Sequence, residues 1–115
     1  MIYTSYYANI KNIPEPYRLV CISRTIPAGI KRDFIRLQYI APSWQLLHKY
    51  KNGEISAEVF KFCYELEAMK NLKQFYSQLE PNDVLLCWEA PDEVCHRHIL
   101  AKLLYRHCHI AVKEL

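Results

Sequence analysis

Val84-Leu85-Leu86-Cys87-Trp88 is the segment that most narrows what this chain can fold into. It is an unbroken apolar run, preceded by Asn82-Asp83 and followed by Glu89-Ala90-Pro91. A continuous run, rather than an alternating one, marks a strand buried on both faces, and such strands belong to parallel sheets covered on two sides. At five residues it is also the longest wholly apolar run in the chain. A membrane span needs about 20 such residues, so no membrane partner is expected.

Other strands and helices can be read around this one. Ile2 to Tyr7 is rich in β-formers and predicts a first strand. Leu19 to Ile22, after the breaker Pro14-Glu15-Pro16, predicts a second, and His109 to Val112 a last one. Ser43 is a candidate N-cap for a short helix to Tyr50, stopped by Asn52-Gly53. Ser56 can cap a longer helix to Leu79, in which Val59, Phe60, Cys63, Leu66, Met69, Leu72, Phe75 and Tyr76 recur at three- and four-residue steps. Pro91 fits the first position of a helix to His107, with Asp92 and Glu93 in its first turn. Residues 24 to 42 show no clean period and read as a long loop with a brief strand at Leu37 to Ile40. Strands alternating with helices predict an α/β domain with a mostly parallel sheet.

The chain has 115 residues, enough for one domain (1–115) with a modest core. Its net charge of +3 is too small to argue for DNA binding without a clustered basic face. The expected partner is a small anionic ligand, with nucleic acid weakly supported. The five cysteines are odd in number and irregular in spacing, which favours reduced cytosolic thiols over a secreted disulfide framework. The N-terminus lacks a basic region followed by an apolar one, so no secretory signal is expected and the predicted compartment is cytoplasmic.

In an open parallel sheet, ligands bind beyond the C-terminal ends of the strands. Two such ends are legible. One leads into Ser23-Arg24-Thr25-Ile26-Pro27, the other into Glu89 and then Cys95-His96-Arg97-His98. With both strands parallel, Arg24, Glu89 and the Cys95-His96-Arg97 cluster share one edge. Helical spacing points His96 at the sheet, sets Cys95 and Arg97 on opposite flanks of the helix's buried face, where they can border a cleft, and leaves His98 towards solvent. A cysteine near a helix start beside His and Arg can become a nucleophile. The competing reading is a structural thiol, because Asp92 and Glu93 oppose thiolate formation. Arg24 suits phosphate or carboxylate, or else pairs with Glu89 across the strand ends. Glu89 can serve as general base, or hold one of the two arginines.

Trp44, Trp88 and the tyrosines can stack bases, although aromatic-rich strands are more often core. Cys87, Cys95, His96 and His98 are all of metal-ligating type. The spacing C-x7-C-H-x-H matches none of the compact zinc patterns, and His96 and His98 diverge by about 200° on a helix. No metal is expected, and no cofactor or oligomeric state is legible. Walker A, GxGxxG, GxSxG and HExxH are absent, and the phosphatase spacing C-x5-R fails.

Four stretches resemble the DUF488 family. They are Tyr3-Thr4-Ser5-Tyr6, the strand-then-R-x-x-P element Val20 to Pro27, the A-P-S helix and turn Ile40 to Leu47 followed by Tyr50-Lys51-Asn52-Gly53, and Leu86-Cys87-Trp88-Glu89 followed by Cys95-His96-Arg97. The resemblance implies a single three-layer Rossmann-like domain with its polar residues gathered at one sheet edge, and it implies no settled activity. Many members carry an acidic residue just before the Arg, where this chain has Ser23.

The candidate catalytic residues are therefore Cys95, His96 and Glu89, and the candidate ligand-binding residues are Arg24, Arg97 and Ser5. Two functions compete. One is an enzyme acting on a nucleotide or other phosphorylated or anionic small molecule. The other is a non-catalytic nucleotide, nucleic-acid or protein-binding module in which Cys and His are structural.

Overall fold

A computed structural model describes residues 1–89 and 95–115. Five strands, β1 (Ile2–Tyr6), β2 (Leu19–Cys21), β3 (Phe34–Arg36), β4 (Val84–Cys87) and β5 (Val112–Glu114), form one sheet in the order β3-β2-β4-β1-β5. Every pairing is parallel. The apolar run occupies the centre as β4, and all four of its residues are buried. Its two faces serve two cores. Val20, Ile22 and Leu85 face the helices α1 (Trp44–Lys51), α2 (Ala57–Met69), α3 (Leu72–Ser77) and α4 (His96–Cys108). Leu19, Cys21, Val84 and Leu86 pack on the opposite face against Tyr7, Ile13, Tyr17 and Ile30, from a 3-10 turn and irregular segments. The result is a three-layer α/β fold.

Several boundaries differ from the sequence expectations. The predicted helix over Ser56–Leu79 is two helices, broken at Asn71, where φ is −117° and ψ is 3°. Asn favours helix ends and turns over helix interiors. The core stripe of α2 is Phe60, Tyr64 and Ala68, so Val59, Phe62, Leu66 and Met69 stay exposed. The brief strand comes at Phe34–Arg36, and Gln38–Ile40 form a 3-10 turn instead. His109 ends α4 in the left-handed region (φ 57°), and the turn it makes delays β5 to Val112. Trp88 falls outside β4 and is exposed.

Cys95 is extended (φ −140°, ψ 144°) and precedes α4, so it does not lie within a helix begun at Pro91. The placement of Pro91, Asp92 and Glu93 in a first helical turn lies outside the described residues. Among the described residues, no helix is long and apolar enough to cross a membrane.

Candidate functional site

The register of β2 on β4 pairs Cys21 with Leu86. The segments leaving these two C-terminal ends, Ser23-Arg24-Thr25 and Trp88-Glu89, therefore emerge side by side. Together with Pro42, Trp44, Leu47 and Lys51 from the start and length of α1, and His96 from the start of α4, they enclose a cavity of about 310 Å³. That is near the lower end of ordinary ligand pockets, roughly 300–1,000 Å³.

Arg24 is held by the backbone of the A-P-S segment. Its Nε donates to the Pro42 carbonyl (2.7 Å) and its Nη2 to the Ala41 carbonyl (3.2 Å). That segment is itself fixed. Ser43 caps α1 through the Leu46 amide (3.2 Å), and its own amide and hydroxyl donate to Glu67 (2.8 and 2.6 Å). Gln38 Nε2 donates to the carbonyls of both Ser23 and Arg24 (2.9 Å each), which fixes the turn carrying Arg24. The ion pair with Glu89, the alternative reading of Arg24, does not form. Glu89 instead faces Lys51, at 4.0 Å. Trp88 is anchored by its indole N–H to the Thr25 carbonyl (2.9 Å) and edge-on to Tyr7 (centroids 5.2 Å). Trp44 and Trp88 are each about half exposed, at 51% and 47%.

His96 points inward, as its helical position predicts, and is 7% exposed. Its Nε2–H donates to the Ile22 carbonyl (2.7 Å), and its ring meets Tyr64 edge-on (5.5 Å). Burial, opposed by that hydrogen bond and reinforced by the nearby Arg97 and Arg24 charges, lowers its pKa to about 4. The imidazole is therefore neutral at physiological pH, with its lone pair on Nδ1.

Three expected site residues sit elsewhere. Arg97 does not border the cleft with Arg24. It is fully buried, donating to Glu114 (3.2 and 2.9 Å), to the Glu89 carbonyl (2.6 Å) and to Cys87 Sγ (2.9 Å), and it lies over the Tyr6 ring. A helical flank predicted exposure, but β5 brings Glu114 onto that flank. Burial alone would raise the Glu114 pKa; hydrogen bonds from Arg97 and Thr4, with the Arg97 charge, outweigh it and lower it. Ser5 is buried in β1 and accepts from Asn9 (3.1 Å), away from the cavity lining. Cys95 is buried and disulfide-bonded to Cys87, which corrects the expectation of uniformly reduced thiols. Cys21, Cys63 and Cys108 are free. His98, expected towards solvent, is half-buried.

The sequence reading missed Lys51, the Ala41 and Pro42 carbonyls and Gln38. Carbonyl acceptors leave no trace in side-chain identity. Lys51 had a weak signal, being a cation in the last turn of a helix whose first turn carries Trp44.

The A-P-S turn thus braces the arginine of R-x-x-P beside C-x-E and C-H-R. The chain matches the family model DUF488-N3a, described as the active DUF488-N3 subclade, over residues 2–108. The chain belongs to the DUF488 family. No curated protein and no solved structure matches this DUF488 chain. In this DUF488 member three of the four motif stretches, all but Tyr3–Tyr6 in β1, meet at the C-terminal edge of the sheet. There they divide between cavity lining (Arg24, Glu89, His96) and buried support (Cys87, Cys95, Arg97).

Proposed function

We propose that the cavity at the β2 and β4 ends is the active site of an enzyme acting on a nucleotide or another phosphorylated or anionic small molecule. The observation that carries this reading is the state of Arg24. Two neutral carbonyls brace its guanidinium, and no carboxylate among the described residues pairs with it. A positive charge is thus held in place in a cavity that also contains Lys51. An anionic group is what such a preorganised fork suits. Trp44 and Trp88 supply flat apolar walls suited to a base or sugar ring.

In this reading Arg24, helped by Lys51, holds the anion. Glu89, half-buried on the cavity wall, supplies the proton-transferring carboxylate. His96 is a positioning residue: its Nε2–H is already engaged by Ile22, so it holds the β2 end against α4. Arg97 is likewise a positioning residue, fixing the Glu89 backbone through its carbonyl. Cys95 as a nucleophile is not carried forward, because its sulfur is bonded and buried. The description of the matched subclade as active supports an enzymatic reading over pure binding.

The experiment is a thermal-shift screen of nucleoside monophosphates and sugar phosphates, followed by turnover assays on the compounds that stabilise the protein. R24Q is expected to weaken binding about 10- to 100-fold, the loss of a charge-assisted contact. E89Q is expected to lower kcat by about 10²–10⁴ while binding persists. Stabilising compounds that bind E89Q and wild type alike and are never turned over would favour the non-catalytic module, the reading that the buried, bonded Cys95 favours. Absence of any stabilising compound would contradict the enzyme reading.

A further inference from the structure

Where His96 lines the cavity, two buried cysteines that the proposed reaction does not use stand beside it. Cys87 ends β4, Cys95 immediately precedes α4, and His96 is the first residue of α4. All three are buried, and their donor atoms lie within 4.8 Å of one another. Thiolate and imidazole are the preferred donors of zinc-like cations, and two sulfurs with one imidazole make a recurrent three-ligand set.

The imidazole is already arranged as a metal-bound histidine would be. Nε2–H donates to the Ile22 carbonyl at 2.7 Å, which leaves the lone pair on Nδ1. That is the outer-shell contact that usually orients a ligating histidine. Nδ1 lies 3.9 Å from Cys95 Sγ. In a tetrahedral site with metal–sulfur bonds of about 2.3 Å and metal–nitrogen bonds of about 2.0–2.1 Å, sulfur and nitrogen stand roughly 3.5 Å apart and two sulfurs roughly 3.8 Å. The nitrogen–sulfur separation is thus near the required value without rearrangement.

The backbone also leaves room for the two sulfurs to part. The Cα atoms of Cys87 and Cys95 are 7.5 Å apart. Most disulfides span about 4.4–6.8 Å, so opening this pair to the separation of two metal ligands needs no widening of the backbone.

We propose that, once the Cys87–Cys95 bond is reduced, Cys87 Sγ, Cys95 Sγ and His96 Nδ1 form a three-ligand site for a thiophilic divalent cation of the zinc class. An external dithiol supplies the two electrons and two protons that convert the disulfide to two thiols, and is itself oxidised to a disulfide. The cation then displaces the two thiol protons into solvent. Three protein ligands leave one tetrahedral position for water. The sequence spacing C-x7-C-H hides this set, because the fold and not a compact motif brings β4 to the start of α4. His98, which spacing alone grouped with these residues, is not part of the set.

The inference does not depend on the proposed catalysis, and its test reads metal rather than turnover. The full chain is reduced with dithiothreitol, desalted anaerobically and titrated with Co²⁺. Expected are uptake of a single Co²⁺ per chain, a near-ultraviolet sulfur-to-cobalt charge-transfer band, and its loss on adding Zn²⁺. C95S should weaken Co²⁺ binding by more than about 100-fold, beyond the loss usual for an outer-shell residue. C63S and C108S should retain the band. Should C95S fail to fold, alkylation of the reduced wild type with iodoacetamide decides the matter. Zn²⁺ should protect Cys87 and Cys95, located by peptide mass spectrometry. A reduced wild type that takes up no Co²⁺, or protection falling on Cys21, Cys63 or Cys108 instead, would overturn the proposal.

Discussion

The two ends of the β2–β4 pair carry the same residue types and use them differently. Arg18 and Asp83 stand immediately before the two strands; Arg24 and Glu89 stand just after them. At the leading end the arginine and the carboxylate meet. Arg18 Nε and Nη2 donate to the two oxygens of Asp83 (2.8 and 2.7 Å), Glu80 joins the cluster, and Asp83 also accepts from the Glu80 amide. Asp83 is fully buried. At the trailing end the pair does not form: Arg24 turns to two carbonyls and Glu89 to Lys51. A neutralised clamp stabilises a fold and attracts little. A guanidinium braced by neutral groups keeps its charge for something else. Under the proposed function the difference leaves stability to one end of the sheet and ligand chemistry to the other, the end at which open parallel sheets generally bind ligands.

The largest expected effect breaks the clamp. D83A leaves the Glu80 amide without its acceptor and Arg18 with only the Glu80 carboxylate and the Gln78 carbonyl, and should cost about 3 kcal/mol, the low end of the range for removing one partner of a buried ion pair. Urea unfolding would measure it, and ligand affinity per folded molecule should be unchanged. A loss below about 1 kcal/mol would mean that the two ends do not differ as described.

Next in size is the Arg97–Glu114 contact. E114Q should destabilise the protein by about 1–3 kcal/mol at pH 7, the range for hydrogen bonds to charged groups. The Glu114 pKa in the fold lies below its ordinary 4.5, so its contribution is present above that value and fades as pH falls through the lower, folded pKa. The gap between wild type and E114Q should therefore narrow below about pH 4.5. A gap that stays constant down to strongly acidic pH would remove Glu114 as the partner that holds Arg97.

Smaller still is the cap behind Arg24. S43A removes the bond to the Leu46 amide and the hydroxyl contact to Glu67, at about 1 kcal/mol. Because the same turn presents the Ala41 and Pro42 carbonyls, S43A should also weaken ligand binding a few-fold. R106Q, on an exposed residue of α4, should change neither property.

How far these features could be read beforehand follows from their physics. The central strand, the parallel class, the Ser43 and Ser56 caps and the inward imidazole of His96 were legible, because burial periodicity and capping are local. The site edge was legible through the two strand ends. The fate of Arg97 was not, since Glu114 reaches it from a strand 17 residues further on. The partners of Arg24 were equally hidden, being backbone atoms of a turn 17 and 18 residues away. The Cys87–Cys95 pairing was missed because counting cysteines says nothing about which two meet. The stripe on α2 was misplaced because it left out Tyr64, which carries its hydroxyl to the Ile40 carbonyl (2.7 Å) and is wholly buried.

The most direct measurement is calorimetric titration of wild type, R24Q and R106Q with inorganic phosphate and a set of nucleoside monophosphates. The account predicts measurable binding by wild type and R106Q, and affinity about 10- to 100-fold weaker in R24Q, with its unfolding midpoint close to that of wild type. Equal affinity in R24Q and wild type, or no binding by any of the three, would contradict it.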